Sequence, residues 1–392
     1  MSDEAGNHAS IPPYASLPRS IDGEKIFEAI KKSGYPFQAE VANTLRANLS
    51  ELGPFSIQEE WAYIDSDTSQ TRSIDVLANV TIKSPTQEQE HESLIHPSVS
   101  LLVECKQSDM PYVFFLRESY PTQTFSFPEI AGLPHTDIRL FGVISKGEER
   151  IPPFLLSIHD LVGCQHHSFF NTPTPFAVSF AKSMLRGSKL EISGDETYRG
   201  ITLPLIKASE HLKKVLAPNS TQKAYTLRFI VCLAVLRAPM IGAYVHNGKQ
   251  LLIGLPWVRT FRMDPTTDPE RATFSTEDRN IFYYDVVHES FLPQYLEVLK
   301  RDMTAISAEI HTKHQIIATG IGMQRAEKSE LGRFTAVGDD ELEKFDLTLE
   351  PAGRMTVLSE PLTFDISPDI EGIADGQLIW LDGDEFYILD ED

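Results

Sequence analysis

The segment Val99-Ser-Leu-Leu-Val-Glu-Cys-Lys-Gln107 constrains this 392-residue chain more than any other. It is an apolar run of strand length that finishes in Glu104-x-Lys106. Side chains alternate along a strand with a period of two, so Glu104 and Lys106 share one face while Val103 and Cys105 share the other. A carboxylate and an ammonium at the end of a buried strand are costly to desolvate unless something uses them. A second acid stands in like surroundings upstream, in Arg72-Ser-Ile-Asp75-Val-Leu-Ala78, a run of strand formers in which Asp is depleted. If the two strands are neighbours, Asp75, Glu104 and Lys106 converge on one point.

The elements around these strands follow from periodicity. Ile26, Phe27 and Ile30 predict a short helix over 24–32, stopped at Ser33-Gly34. Pro36 then suits the first turn of a second helix, whose stripe is Phe37, Val41, Leu45 and Leu49 and whose flank carries Glu40. Strands are expected over 55–64, 73–82 and 99–106, with Ile74, Val76, Ala78, Val80 and Ile82 on one face of the second and Asp75, Leu77 and Asn79 on the other. Residues 140–144 read as a strand and 175–185 as a helix. An amphipathic helix is expected over 203–216, a doubly buried strand over 225–236, further strands over 251–255 and 281–287, and a helix over 291–310. Short strands are expected at 345–349, 355–358, 377–381 and 385–389, the last two flanking the turn Asp382-Gly383-Asp384.

At Asp75, Glu104 and Lys106 the chain resembles the PD-(D/E)XK nuclease superfamily, the restriction-endonuclease-like fold. In that family an Asp ends one strand, a (Asp/Glu)-x-Lys ends the next, and a preceding helix often supplies a Glu. The Ile-Asp-Val-Leu-Ala and Val-Glu-Cys-Lys pair is most similar to the branch holding Mrr-type restriction enzymes and Holliday-junction resolvases, with Ile74 where other branches carry Pro. The resemblance spans residues 20–145 and, as a pattern, 200–310. It implies an α/β fold, a mixed central sheet flanked by helices, and a Mg²⁺-dependent endonuclease acting on DNA, with Mn²⁺ able to substitute. Its setting would be prokaryotic restriction, anti-phage defence or DNA processing, and a homodimer would let it cut two strands. Asp75 and Glu104 would hold the metal, with Glu40 and the Cys105 backbone carbonyl as further ligands. Lys106 would orient or deprotonate the attacking water, and Gln107 would touch the water or the scissile phosphate. Against this, a Glu-x-Lys pair is commonly a solvated strand face, and Glu40 is equally a plain surface acid.

Charge complicates the nuclease reading. Residues 321–392 hold 5 Lys and Arg against 19 Asp and Glu, so −14 of the formal −21 lies there and −7 on the first 320 residues. No basic stripe compensates, so affinity for nucleic acid from charge alone is expected to be modest. Lys182, Arg186, Lys189, Lys207, Lys213 and Lys214 are the candidate phosphate contacts, and each reads equally as part of a solvated face. The acidic end is either a surface for a basic protein partner, a mimic of nucleic acid, or a solubilising appendage. The alternative function is accordingly a catalytically silent scaffold that binds protein. The expected organisation is a loose arm over 1–19, a main domain over 20–315 with an insertion at about 107–200, and an acidic β-rich appendage over 316–392.

Cys105, Cys164 and Cys232 are too scattered for a disulfide framework, which suits a reducing cytoplasm. The first ten residues carry no secretory leader pattern, and no run of about 18 apolar residues predicts a membrane span. Gly163-Cys-Gln-His-His167 and His311-Thr-Lys-His314 hold metal-ligand residue types without a second cluster at zinc spacing, so polar structural roles are expected. Cys232 and Cys105 are expected in the core.

Overall fold

The computed structural model describes residues 22–83, 93–117, 127–144, 150–171, 175–219, 224–246, 249–263, 281–326, 333–336, 353–354, 378–382 and 385–388. Helix α1 (Gly23–Lys32) is capped by Asp22, whose carboxylate accepts from the Lys25 N–H at 2.8 Å. Helix α2 (Tyr35–Leu49) carries Pro36 in its first turn, where the missing N–H costs no helical bond. Phe37, Val41, Leu45 and Leu49 are all buried, as their spacing predicts. After α2 the chain passes Gly53, where an added Cβ would lie 2.0 Å from the Thr81 carbonyl oxygen, so only glycine fits.

The strands are β1 (Phe55–Ile64), β2 (Thr71–Thr81), β3 (Ile95–Gln107), β4 (Tyr112–Arg117), β5 (Glu129–Ala131), β6 (Asp137–Ile144), β7 (Arg150–Ser157), β8 (Phe176–Arg186), β9 (Lys189–Ser193) and β10 (Tyr225–Arg237). They continue with β11 (Met240–His246), β12 (Lys249–Gly254), β13 (Trp257–Met263), β14 (Ile281–His288), β15 (Ile321–Ala326), β16 (Arg333–Ala336), β17 (Gly353–Arg354), β18 (Leu378–Asp382) and β19 (Glu385–Ile388). The other long helices are α3 (Leu203–Val215) and α4 (Leu292–Thr312), followed by the short α5 (His314–Thr319).

The fold is α/β. One mixed sheet runs β1-β2-β3-β10-β14-β13-β8-β4-β11-β12-β18-β19, with β5 also on β10 and β9 on β8. A second sheet runs β16-β15-β6-β7-β17. β1, β2 and β3 are antiparallel neighbours, and β10 joins β3 in parallel from Tyr225↔Ile95 to Arg237↔Gln107. Both faces of β10 are covered, which is why it reads as a continuous apolar run. On one face, α2 and α4 pack over Val76, Ala78, Val80, Val103 and Val235. On the other, α3 packs over Leu77, Leu102, Cys232, Ala234 and Leu236. Arg259 of β13 is fully buried and makes four hydrogen bonds: two to Asp285 of β14, at 2.8 and 2.9 Å, and one each to the Asn171 and Phe169 carbonyls. Tyr295 of α4 donates to the same Asp285 at 2.7 Å, so this ion pair fastens α4 to the sheet.

Two expectations are corrected. Residues 176–186 form strand β8, not a helix: Phe176 and Phe180 recur at helical spacing among helix formers, but pairing with β4 and β13 decides the conformation. Ile74 does not share a face with Val76; it packs with Leu77 on the α3 side. Residues 107–200, expected as an insertion, contribute β4 and β8 to the large sheet, and β18 of the acidic segment pairs with β12. The expected arm over 1–19 and the strands at 345–349 and 355–358 lie outside the described residues. Among the described residues no helix is long and apolar enough to cross a membrane.

Candidate functional site

The β2–β3 ladder runs from Thr81↔Ser98 to Val76↔Val103 and stops there. The β1–β2 ladder skips Glu60 and Asp75, and Glu60 has φ +51°. β2 therefore turns away from β3 at Asp75, which explains why Ile74 changes face. The Asp75 side chain takes over the lost backbone partner: its Oδ2 accepts from the Cys105 N–H at 2.7 Å. Gln38 of α2 donates its Nε2–H to the Asp75 carbonyl at 2.9 Å and fixes the departing strand. Parting strands thus open a gap at the end of β3, and Asp75 is held at its edge.

Glu104 and Lys106 fill the gap from β3, and they share a face as the strand period predicts. Lys106 Nζ lies 2.5 Å from Glu104 Oε2 and 3.5 Å from Asp75 Oδ2. Glu104 is 3% exposed, while Lys106 and Asp75 keep partial access to solvent. Two carboxylates facing one ammonium carry a net charge of −1, which invites a further positive charge. Burial pushes the Glu104 carboxyl up to about 8; the Lys106 ammonium opposes this, and the Asp75 carboxylate adds to it. The two carboxylates in turn hold Lys106 protonated well above its ordinary range, against burial. Cys105 lies on the opposite face against the α2 and α4 core, and burial raises its thiol.

The remaining site residues sit elsewhere. Glu40 is not joined to the Asp75–Glu104 pair; its Oε2 accepts from Arg237 Nη2 at 2.5 Å, and Arg237 also reaches Glu289 at 2.6 Å while stacking 4.3 Å from the Phe37 ring centroid. Gln107 donates through Nε2 to the Lys31 carbonyl at the end of α1, at 3.1 Å. Four of the six candidate phosphate-binding cations have carboxylate partners: Lys182 with Glu196, Arg186 with Glu191, Lys207 with Asp67 and Glu210, and Lys213 with Glu129. Lys189 and Lys214 stand exposed.

Among the described residues, no group of three or more His, Cys, Asp or Glu side chains forms a ready metal cage. Cys164 is buried, His167 Nδ1 is 4.0 Å from Asp302, and His314 Nδ1 accepts from the Leu94 N–H at 3.1 Å. These are structural polar contacts. Asp75 and Glu104 still suit Mg²⁺, whose hard oxygen donors need number only one or two carboxylates when water and substrate phosphate complete the shell.

Sequence reasoning missed Gln38, Arg237 and Gly200. Gln38 precedes Ala42 by one helical turn on the buried side of α2, and a polar residue on an apolar stripe was the available signal. Gly200 precedes α3, and a Cβ there would meet Lys106 Cε at 4.0 Å. No signal pointed to it. No family model matches this chain, and no curated protein or solved structure is significantly similar to it.

Proposed function

We propose that the protein is a metal-dependent endodeoxyribonuclease with a restriction-endonuclease-like core. The observation that carries this reading is the meeting of Asp75, Glu104 and Lys106 where β2 parts from β3. The succession α2, β1, β2 and β3, followed after β4–β9 by α3 and by β10 parallel to β3, supports it, as a helix, a hairpin and a Glu-x-Lys strand are what that fold requires. Asp75 and Glu104 would hold Mg²⁺ or Mn²⁺, with the Cys105 carbonyl as a third oxygen; the ion, when bound, polarises the phosphoryl group and acidifies a water. Lys106 serves as a donor in this arrangement. Held protonated by two carboxylates, its Nζ–H orients water and offsets charge building on the phosphorus-bound oxygens. Glu40 would join only by leaving Arg237. A cytoplasmic role in restriction or anti-phage defence accords with the resemblance.

Plasmid and single-stranded DNA incubated with Mg²⁺ or Mn²⁺ test the proposal. Wild type is expected to nick DNA, with Asp75→Ala and Lys106→Ala slower by on the order of 10²–10⁴-fold. No cleavage by wild type under any of these conditions favours a second reading, a silent scaffold that binds a basic protein partner. That reading rests on the carboxylate pairing of Lys182, Arg186, Lys207 and Lys213 and on the charge of −21.

A further inference from the structure

The β8–β9 hairpin carries an apolar face that stands open to solvent. β9 follows β8 through the two-residue turn Gly187-Ser188, in the register Ser183↔Ile192, Leu185↔Leu190 and Arg186↔Lys189. Opposed residues point to the same side of a sheet, so Leu185, Leu190 and Ile192 share one face. They are 63%, 58% and 53% exposed. Large aliphatic side chains grouped in water mark an interaction surface, whereas single ones need no explanation. Met184, Arg186, Lys189 and Glu191 occupy the other face, where Arg186 Nε lies 3.2 Å from Glu191 Oε2. The strand edge beside these faces is open as well: among the described residues β9 pairs with β8 alone. In a two-residue hairpin the pair flanking the turn is hydrogen-bonded, so Leu190 and Ile192 turn their backbone N–H and C=O away from β8. The Ser183 N–H, opposite Ile192, accordingly leaves the hairpin for the Pro111 carbonyl at 2.9 Å. An open edge of this kind is a template for a further strand.

Charge decides which strand fits. Lys189 and Glu191 flank Leu190, and both are exposed. An antiparallel copy of β9 on a two-fold axis at Leu190 places each Lys189 opposite a Glu191 of the other chain, with Leu190 opposite Leu190. An axis at Glu191 instead sets two like charges face to face, which is unfavourable. Lys-Leu-Glu is thus complementary to itself in one register. We propose that the edge of β9 is a dimer interface, to which a second copy of this chain adds its own β9 about Leu190. Hydrogen bonds exchanged at Leu190 join the edges, two Lys189–Glu191 pairs set the register, and the Leu190 side chains meet across the axis with Leu185 and Ile192 beside them. The same patch serves both copies, so the contact closes at two. Its small size implies a dissociation constant of about 1–100 μM, so at nanomolar concentration the chain is monomeric and Lys189 faces solvent. The surface follows from the hairpin alone and holds whether or not the chain cuts DNA.

Sedimentation velocity of the full chain from about 1 to 200 μM tests the interface without any DNA. Wild type is expected to pass from monomer to dimer over that range. Lys189→Glu sets Glu opposite Glu191 at both ends of the contact and is expected to weaken the dimer roughly tenfold. Adding Glu191→Lys to it restores opposed charges, and the double variant is expected to dimerise as wild type does. Leu190→Lys brings two ammonium groups together on the axis and is expected to stay monomeric. All three positions are exposed, so the melting curves of these variants, read at low micromolar concentration, are expected to match that of wild type. The proposal is overturned if wild type is monomeric throughout, which would leave the face to a different protein. It is equally overturned if Leu190→Lys dimerises as wild type does, or if the double variant associates no more tightly than Lys189→Glu.

Discussion

At the scale of the residue, the site is one positive charge short. Asp75, Glu104 and Lys106 sum to −1, and at neutral pH the apo protein meets this by keeping a proton on Glu104, whose carboxyl is pushed from 4.5 to about 8. A divalent cation held by Asp75 and Glu104, as proposed, would have to displace that proton. Mn²⁺ affinity is therefore expected to rise roughly tenfold per pH unit between pH 6 and 8, and then to level. Glu104→Gln has no proton to lose and is expected to bind weakly with a flat profile. Calorimetry in buffers of differing ionisation heat counts the protons released, and a wild-type count near zero at pH 7 refutes the account. Stability carries the opposite sign in the apo protein. A raised carboxyl contributes stability below its unfolded value of 4.5, and that contribution is lost as pH climbs through 8. Thermal melts in EDTA are thus expected to place Glu104→Gln above wild type at pH 9 but not at pH 5.

At the scale of the element, the helix α2 and strands β1, β2, β3 and β10 are the parts that hold the site, and they are also the parts legible in the sequence. The apolar residues of α2 recur every four, those of β2 alternate with a period of two from Val76 onward, and β3 and β10 are near-continuous apolar runs covered on both faces. Leu45→Ala in α2 removes a side chain with no exposure and is expected to cost about 3 kcal/mol in urea unfolding, loosening the helix that anchors Asp75 through Gln38. A cost near zero would mean that α2 does not brace the site. What stayed hidden is what depends on partners distant in sequence. β8 carries helical spacing because its burial is set by two neighbouring strands from elsewhere in the chain. The change of face at Ile74 depends on Glu60 across the hairpin. The convergence of Asp75 with Glu104 was legible because both sit at anomalous polar positions in apolar strands. The capture of Glu40 by Arg237 was not, since those residues lie 197 positions apart.

At the scale of the whole molecule, a charge of −21 must be reconciled with the polyanionic substrate that the nuclease proposal requires. Four of the six candidate phosphate-binding cations already face carboxylates, so few of them remain to release counterions from DNA. If Lys106, Lys189 and Lys214 make the phosphate contacts, the slope of log affinity against log salt is expected to be about −3 in fluorescence anisotropy between 50 and 200 mM NaCl. A slope near −8 would require a broad basic surface and would overturn this picture. On the proposed nuclease reading, so shallow a term would leave attraction to DNA dependent on a divalent ion held by Asp75 and Glu104. Omitting the metal is then expected to weaken DNA binding as well as cleavage, by roughly tenfold or more with non-cleavable phosphorothioate DNA. Equal binding with Ca²⁺ and with EDTA would place the grip on DNA away from Asp75 and Glu104.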